Sequence, residues 1–267
     1  FYSNIDNDEE IFMELVNLSN PDKSNNQKTI FIWPEGILPK TTINDLSRLK
    51  ILINDNFNEN HKIILGLNRE ETIDGKNNIF NSLAVINNSA EVISFYDKKR
   101  LVPFGEFLPL EDILYKLGLK SLTNNYRSYS SGKIEKINIK IDDNLIFLPL
   151  ICYEIIYPSK IDKNLDYNLV INLSEDGWFG KSIGPYQHFT HSIFRSIETG
   201  KYILRSANNG ISSITSPTGK IISKINLGDK GNIVLQNYKN SQKTIYSKYG
   251  NLIFLILIFI YIFLIFS

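Results

Sequence analysis

The stretch Leu145-Ile146-Phe147-Leu148-Pro149-Leu150-Ile151-Cys152-Tyr153-Glu154 fixes how this chain is read. The apolar run from Leu145 to Ile151 reads as a buried strand, and it ends directly in Cys152, the only cysteine of the sequence. A strand that hands its last residue to a loop suits a nucleophile, because the sheet fixes the backbone while the loop exposes the side chain. The attacking species is the thiolate, so such a cysteine needs a base or a cation beside it. The plain alternative is a small core hydrophobe.

Working outward, short strands recur on both sides. Thr29-Ile30-Phe31-Ile32-Trp33 is a continuously apolar strand broken by Pro34, and it delivers Glu35 just beyond its end. Ile63 to Leu67, Ser82 to Ile86 and Val92 to Tyr96 read as strands, with Asn87-Asn88 as a hairpin turn. Asp142-Asp143 turns into the strand that ends at Cys152. Beyond it, Asn168 to Asn172, Tyr202 to Arg205, Ile211 to Thr215 and Ile221 to Ile225 read as strands. Helical spacing marks Asn4 to Ser19 and Asn44 to Phe57. A further helix begins at Pro185, with Phe189, Ile193 and Ile197 on one face and Gly200 as its cap. Leu110 to Gly132 is poorly periodic. Strands alternating with helices, with several hairpins, predict an α/β architecture built on a mixed sheet.

Composition narrows the function. Lys and Arg total 29 against 28 Asp and Glu, a net charge of +1, and no basic stretch stands out, so a nucleic-acid partner gains no support. A single cysteine excludes an intramolecular disulfide and a four-cysteine zinc site. His188 and His191 are three apart, but no further ligands at familiar spacing accompany them; His188 is expected to pack or hydrogen-bond beneath the site. His61 reads as surface. Leu252 to Phe266 is uninterrupted apolar, with Tyr246 and Tyr249 just before it. At about 1.5 Å per residue it reaches roughly 22 Å, short of a hydrocarbon core of about 30 Å. A core helix normally keeps a polar face, and this run has none, so a membrane helix, cut short at Ser267, is expected.

Three segments end or interrupt strands with a reactive group: Trp33-Pro34-Glu35-Gly36, Asp97-Lys98-Lys99-Arg100 and Cys152-Tyr153-Glu154. A carboxylate can take the thiol proton, the sulfur can attack a carbonyl, and an ammonium can stabilise the oxyanion. Glu35, Lys98 and Cys152, in that order, resemble the Glu-Lys-Cys triad of the nitrilase, or carbon–nitrogen hydrolase, superfamily. Within it the details resemble the apolipoprotein N-acyltransferases. The resemblance is carried by Tyr96-Asp97-Lys98-Lys99-Arg100-Leu101-Val102-Pro103-Phe104-Gly105-Glu106, Asp176-Gly177-Trp178-Phe179-Gly180, Gly184-Pro185-Tyr186-Gln187-His188 and Arg205-Ser206-Ala207-Asn208-Asn209-Gly210.

That resemblance implies a nitrilase-like α-β-β-α sandwich over residues 1–245 and a C-terminal transmembrane helix over 250–267. It implies two-step acyl transfer at the periplasmic face of a bacterial inner membrane. Glu35 would be the general base, Cys152 the nucleophile and Lys98 the stabiliser of the tetrahedral intermediate, with Glu106 supporting Lys98 or the base and Tyr153 and Glu154 shaping the nucleophile loop. The acyl donor would be a phospholipid and the acceptor the N-terminal amine of a diacylglyceryl-cysteine lipoprotein. Passage from thioester to amide is downhill, so neither ATP nor a metal or other cofactor is implied. The aromatic loops around Phe104, Phe107, Trp178 and Phe179 are candidates to dip into the membrane interface. In the family the domain begins with a further strand and is preceded by membrane helices, so a chain starting at Phe1 is expected to be partial. Ser174-Glu175-Asp176 departs slightly from the family pattern. Two rivals stand: an amidase of the same superfamily hydrolysing small amides, and an inactive membrane-tethered remnant.

Overall fold

A computed structural model describes residues 8–110, 116, 128–133, 138–142, 145–158, 166–236 and 238–266. The start of the first expected helix at Asn4, Asp143, most of the stretch from Leu110 to Gly132 and Ser267 lie outside them. Two sheets form. The first has the order β1-β2-β3-β4, from strands β1 (Thr29–Ile32), β2 (His61–Ile73), β3 (Lys76–Asn87) and β4 (Val92–Asp97). The second has the order β10-β9-β8-β7-β6-β5. Its strands are β5 (Ile139–Asp142), β6 (Leu145–Ile151), β7 (Leu169–Glu175), β8 (Tyr202–Asn208), β9 (Ser212–Thr215) and β10 (Ile221–Ile225). β1 and β2 run parallel, as do β6, β7 and β8.

Alternation along the strands assigns the layers. Ile64, Leu83, Val85 and Tyr96 of the first sheet meet Phe147, Ile151, Leu169, Ile171 and Leu173 of the second in one buried cluster. Their neighbours Ile63, Leu65, Leu67, Ala84 and Ile86 turn outward, against Ile11, Phe12, Leu15 and Val16 of helix α1 (Asp8–Ser19) and Ile53 of helix α2 (Lys50–Asn56). Helix α3 (Gly184–Thr199) packs on β8 and β9 at the far face. The result is the expected α-β-β-α sandwich. β6 and β7 sit centrally and are covered on both faces; β6 reads as an unbroken apolar run, whereas β7 interrupts its own with the buried Asn172 and Ser174.

Three expectations change. The second helix opens as a 3-10 turn over Ile43–Leu49 before α2. α3 buries His188, Ser192, Arg195, Ser196 and Thr199, whereas Ile197 is exposed. The hydroxyls of that face bond back to the helix's own carbonyls, Ser192 to Phe189, Ser196 to Ile193 and Thr199 to Arg195, so they can be buried, while His188 reaches the Asp176–Arg205 pair. His61 is buried, edge-on to Phe31 and Phe57 with ring centroids at 5.2 and 6.0 Å, and burial lowers its pKa.

The tail forms helices α4 (Ile245–Tyr249) and α5 (Leu252–Phe266). α5 is apolar on all sides and has no buried residue. Among the described residues no helix is long and apolar enough to cross a membrane. A cavity of about 720 Å³ runs beside β1, the outer strand of its sheet, lined by Ile30, Ile32, Leu169, Ile171, Leu204 and Tyr238 among others.

Candidate functional site

Glu35 follows β1, Lys98 follows β4 and Cys152 follows β6, so the ends of three strands in two sheets converge. β2 comes so close to Glu35 that a Cβ on Gly66 would lie 2.5 Å from the Glu35 Cα; only glycine fits there. The Lys98 N–H donates to the Asn81 carbonyl at 2.8 Å, which extends the β3–β4 ladder by one step and sets the lysine beside Asn81.

The Lys98 side chain is 1% exposed. Its Nζ donates to Glu106 Oε1 at 2.8 Å and to Glu35 Oε1 at 3.3 Å. Asn81 Nδ2 gives one hydrogen to Glu35 Oε1 at 2.7 Å and the other to Glu106 Oε1 at 2.8 Å. Glu106 Oε2 accepts from the Val102 N–H, and Glu35 Oε2 from the Glu175 N–H, both at 2.8 Å. Burial alone would push the Lys98 pKa down, but Glu35, the Cys152 thiol and Glu106 more than offset it, so the ammonium is held charged.

Cys152 sits at the start of a 3-10 turn (Cys152–Ile156) with φ at +46°, a left-handed conformation that is strained for a side chain with a Cβ. Its Sγ lies 3.9 Å from the Glu175 carbonyl oxygen. Burial and then Glu35 push the thiol pKa up, against the pull of Lys98 and Arg205. A thiol held protonated beside a carboxylate loses its proton as it attacks, rather than resting as a thiolate.

Glu154 binds this turn to the lysine segment. Its Oε2 accepts from the Ile151 N–H at 2.8 Å. Its Oε1 accepts from Tyr96 Oη at 2.8 Å, Lys99 N–H at 2.9 Å and Arg100 N–H at 3.1 Å. Tyr153 is half-buried and packs edge-on against Tyr157.

All six residues expected at the site therefore fall in one region. Sequence reasoning missed Asn81, although a polar residue entering the apolar run Leu83 to Ile86 is the usual trace of a buried hydrogen-bonding role. It also missed Glu175, whose backbone links base and nucleophile and whose carboxylate accepts from Asn208, Asn209 and the Gly177 N–H. Burial raises the pKa of that carboxylate. Around the site, Trp178 is 77% and Phe104 69% exposed, and Phe179 and Tyr186 also face outward, whereas Phe107 is half-buried. Among the described residues no group of three or more His, Cys, Asp or Glu could hold a metal ion.

Comparison with known proteins bears on the family and the fold. Residues 45–237 match the family described as carbon–nitrogen hydrolase. The chain is 35% identical over 214 residues to an apolipoprotein N-acyltransferase of Rhizobium etli, a match covering 79% of this chain and 40% of that protein. It is 35% identical over 240 residues to that of Caulobacter vibrioides, covering 86% and 45%. The chain thus spans less than half the length of these curated relatives. Among solved structures, an amidase of Nesterenkonia AN1 from the nitrilase superfamily superposes with a TM-score of 0.56 at 12% identity, covering 84% of this chain and 83% of that one. Saccharomyces cerevisiae Nit3, also of the nitrilase superfamily, gives 0.56 at 16% identity, covering 83% and 81%. These two show the fold.

Proposed function

This chain belongs to the carbon–nitrogen hydrolase family, and we propose that it is the catalytic part of an apolipoprotein N-acyltransferase. The observation that carries the reading is the buried Lys98 ammonium shared by Glu35 and Glu106, with the Cys152 thiol in electrostatic reach of both Glu35 and Lys98. The shared name of the relatives, at about one residue in three identical, selects acyl transfer over small-amide hydrolysis.

In the first step Glu35 takes the Cys152 proton as sulfur attacks the ester carbonyl of a phospholipid. The oxyanion is met by Lys98 Nζ and by a backbone N–H of the nucleophile turn. The ester C–O bond then breaks, Glu35 returns the proton to the leaving oxygen, and a thioester and a lysophospholipid result. In the second step the N-terminal amine of a diacylglyceryl-cysteine lipoprotein attacks the thioester carbonyl. Its proton passes through Glu35 to the departing sulfur, leaving an amide and free Cys152. Glu106 and Asn81 hold Lys98 and Glu35 in place, and Glu154 holds the turn.

Water must be kept from the thioester, or the same site becomes a hydrolase. Exposed Trp178, Phe179 and Phe104 suit a rim that rests on the acyl region of a bilayer. We read α5 as part of a membrane helix and residues 1–245 as one catalytic unit on the periplasmic side of a bacterial inner membrane. Among the described residues no strand pairs with the outer edge of β1, and a cavity lined by apolar and polar side chains alike lies beside it.

The test is intact-protein mass spectrometry after incubation of the detergent-solubilised chain with phospholipid, with Cys152→Ala as the control. An added acyl mass that hydroxylamine removes, and that Cys152→Ala abolishes, is expected; a diacylglyceryl peptide should then discharge it. Lysophospholipid and fatty acid accumulating without an adduct would favour the hydrolase, and no turnover at all would favour an inactive remnant.

A further inference from the structure

Three segments that carry the family resemblance, around Asp176, His188 and Arg205, form one buried cluster, through which His188 reaches the carbonyl oxygen of Cys152. His188 Nε2 lies 3.1 Å from that oxygen and Nδ1 lies 2.8 Å from Asp176 Oδ1. Arg205 Nη2 reaches both carboxylate oxygens of Asp176, at 2.9 and 2.7 Å, and Arg205 Nη1 donates to Asn172 Oδ1 and Ser174 Oγ. Asp176, Arg205, Asn172 and Ser174 are all but closed to solvent, and so is His188. A Cβ on Gly210 would come within 2.2 Å of Asp176 Oδ2, so the turn after β8 is shaped to admit that carboxylate. The triad chemistry uses none of these side chains.

We propose that His188, braced by Asp176 and Arg205, is a positioning residue that aims the Tyr153 N–H at the oxyanion formed during acyl transfer. A carbonyl oxygen only accepts, so Nε2 carries the hydrogen of this contact. The Cys152–Tyr153 peptide is planar and trans, so its N–H points opposite to its C=O, and anchoring one aims the other. Cys152 has its φ at +46°, from which an ungripped residue relaxes toward ordinary backbone and rotates the following peptide with it. Glu154 grips the N–H before Cys152 and His188 grips the C=O after it, so the strained residue is held from both sides. A donor on the carbonyl also polarises the peptide and strengthens its N–H.

The inference rests on the acyl-transfer reading, because an oxyanion forms only where a carbonyl is attacked. The test compares two reactions of one thiol in the full chain. Alkylation of Cys152 by iodoacetamide passes through no oxyanion, whereas acylation by p-nitrophenyl butyrate does. In His188→Ala acylation should fall about 100-fold, the scale of losing one oxyanion donor, while alkylation stays within about threefold. His188→Gln, whose amide can still donate to the carbonyl, should recover at least roughly tenfold of the acylation. It also serves as the folded comparison if the alanine variant does not fold. Parallel loss of both reactions in the glutamine variant, acylation unchanged in the alanine variant, or no recovery of acylation in the glutamine variant would overturn the positioning role. A wild-type chain that alkylates but never acylates would instead overturn the acyl-transfer reading, and the inference with it.

Discussion

Asn81 offers a sharp test of how the site is held. Its side-chain amide gives both hydrogens to buried carboxylates, at 2.7 Å to Glu35 and 2.8 Å to Glu106, and those same two oxygens share the Lys98 ammonium. Asn81→Ala removes both bonds and leaves the backbone pairing to Lys98 intact. A hydrogen bond to a charged group contributes about 1.5–3 kcal/mol, and two that share one lysine add to less than their sum, so a loss of about 3 kcal/mol is expected. For a chain of this size that lowers the thermal midpoint by roughly 6–12 °C. Asn81→Asp is the stronger perturbation, since it sets a third carboxylate against two others around one lysine. The new carboxyl must be held protonated in the folded state, with its pKa above the unfolded value of about 3.9. Its stability is then fullest at low pH and is lost as pH rises through the folded pKa, so the variant should gain midpoint between pH 7.5 and 5 relative to Asn81→Ala. Circular dichroism melts at the two pH values, with acyl-enzyme formation followed by mass, read out both effects. An Asn81→Ala chain melting within about 1 °C of wild type and acylating at the wild-type rate would refute this account of the site.

The strands were legible because short apolar runs bounded by turn residues are a local signal, whereas their division into two layers came from the family resemblance. The hairpin at Asn87 was legible from its turn residues, yet Asp74-Gly75, where both residues have positive φ, went unread, and β2 and β3 run well beyond the apolar stretches expected there. Their ends are polar and partly solvated, so periodicity faded before pairing did. Glu35, Lys98 and Cys152 could be placed at strand ends, but nothing local shows that three ends in two sheets meet. The inward face of α3 was misjudged for a related reason. Ile193 and Ile197 form the apolar stripe, while the buried face carries His188, which meets the Asp176–Arg205 pair, and hydroxyls that bond back to the helix's own carbonyls. Polar partners separated by tens of residues leave no periodic trace.

Three further outcomes follow from the geometry. Trp178→Ser should slow acylation from a micellar long-chain ester roughly tenfold, about 1.4 kcal/mol of lost apolar contact, and leave a short soluble ester unaffected; equal effects on the two esters would remove Trp178 from the lipid rim. Burial would raise the Asp176 pKa, but His188 and Arg205 outweigh it and hold the carboxyl below its usual value. Its stability is then present above the unfolded pKa of about 3.9 and lost as pH falls through the folded one, so melts at pH 5 and 3 should show a smaller acid loss in Asp176→Asn than in wild type. Cys152 is held at positive φ, where glycine relaxes freely and alanine does not. After glycine's larger entropy in the unfolded chain, Cys152→Gly should remain about 0.5–1 kcal/mol more stable than Cys152→Ala, a midpoint difference of roughly 1–4 °C. Because His188 is one of the two grips that maintain the strained turn, the difference should shrink when both substitutions are made in His188→Gln if the amide holds the carbonyl less firmly, and should stay the same if His188 has no hold on the turn. An alanine variant more stable than the glycine one would mean that the nucleophile turn carries no strain to hold.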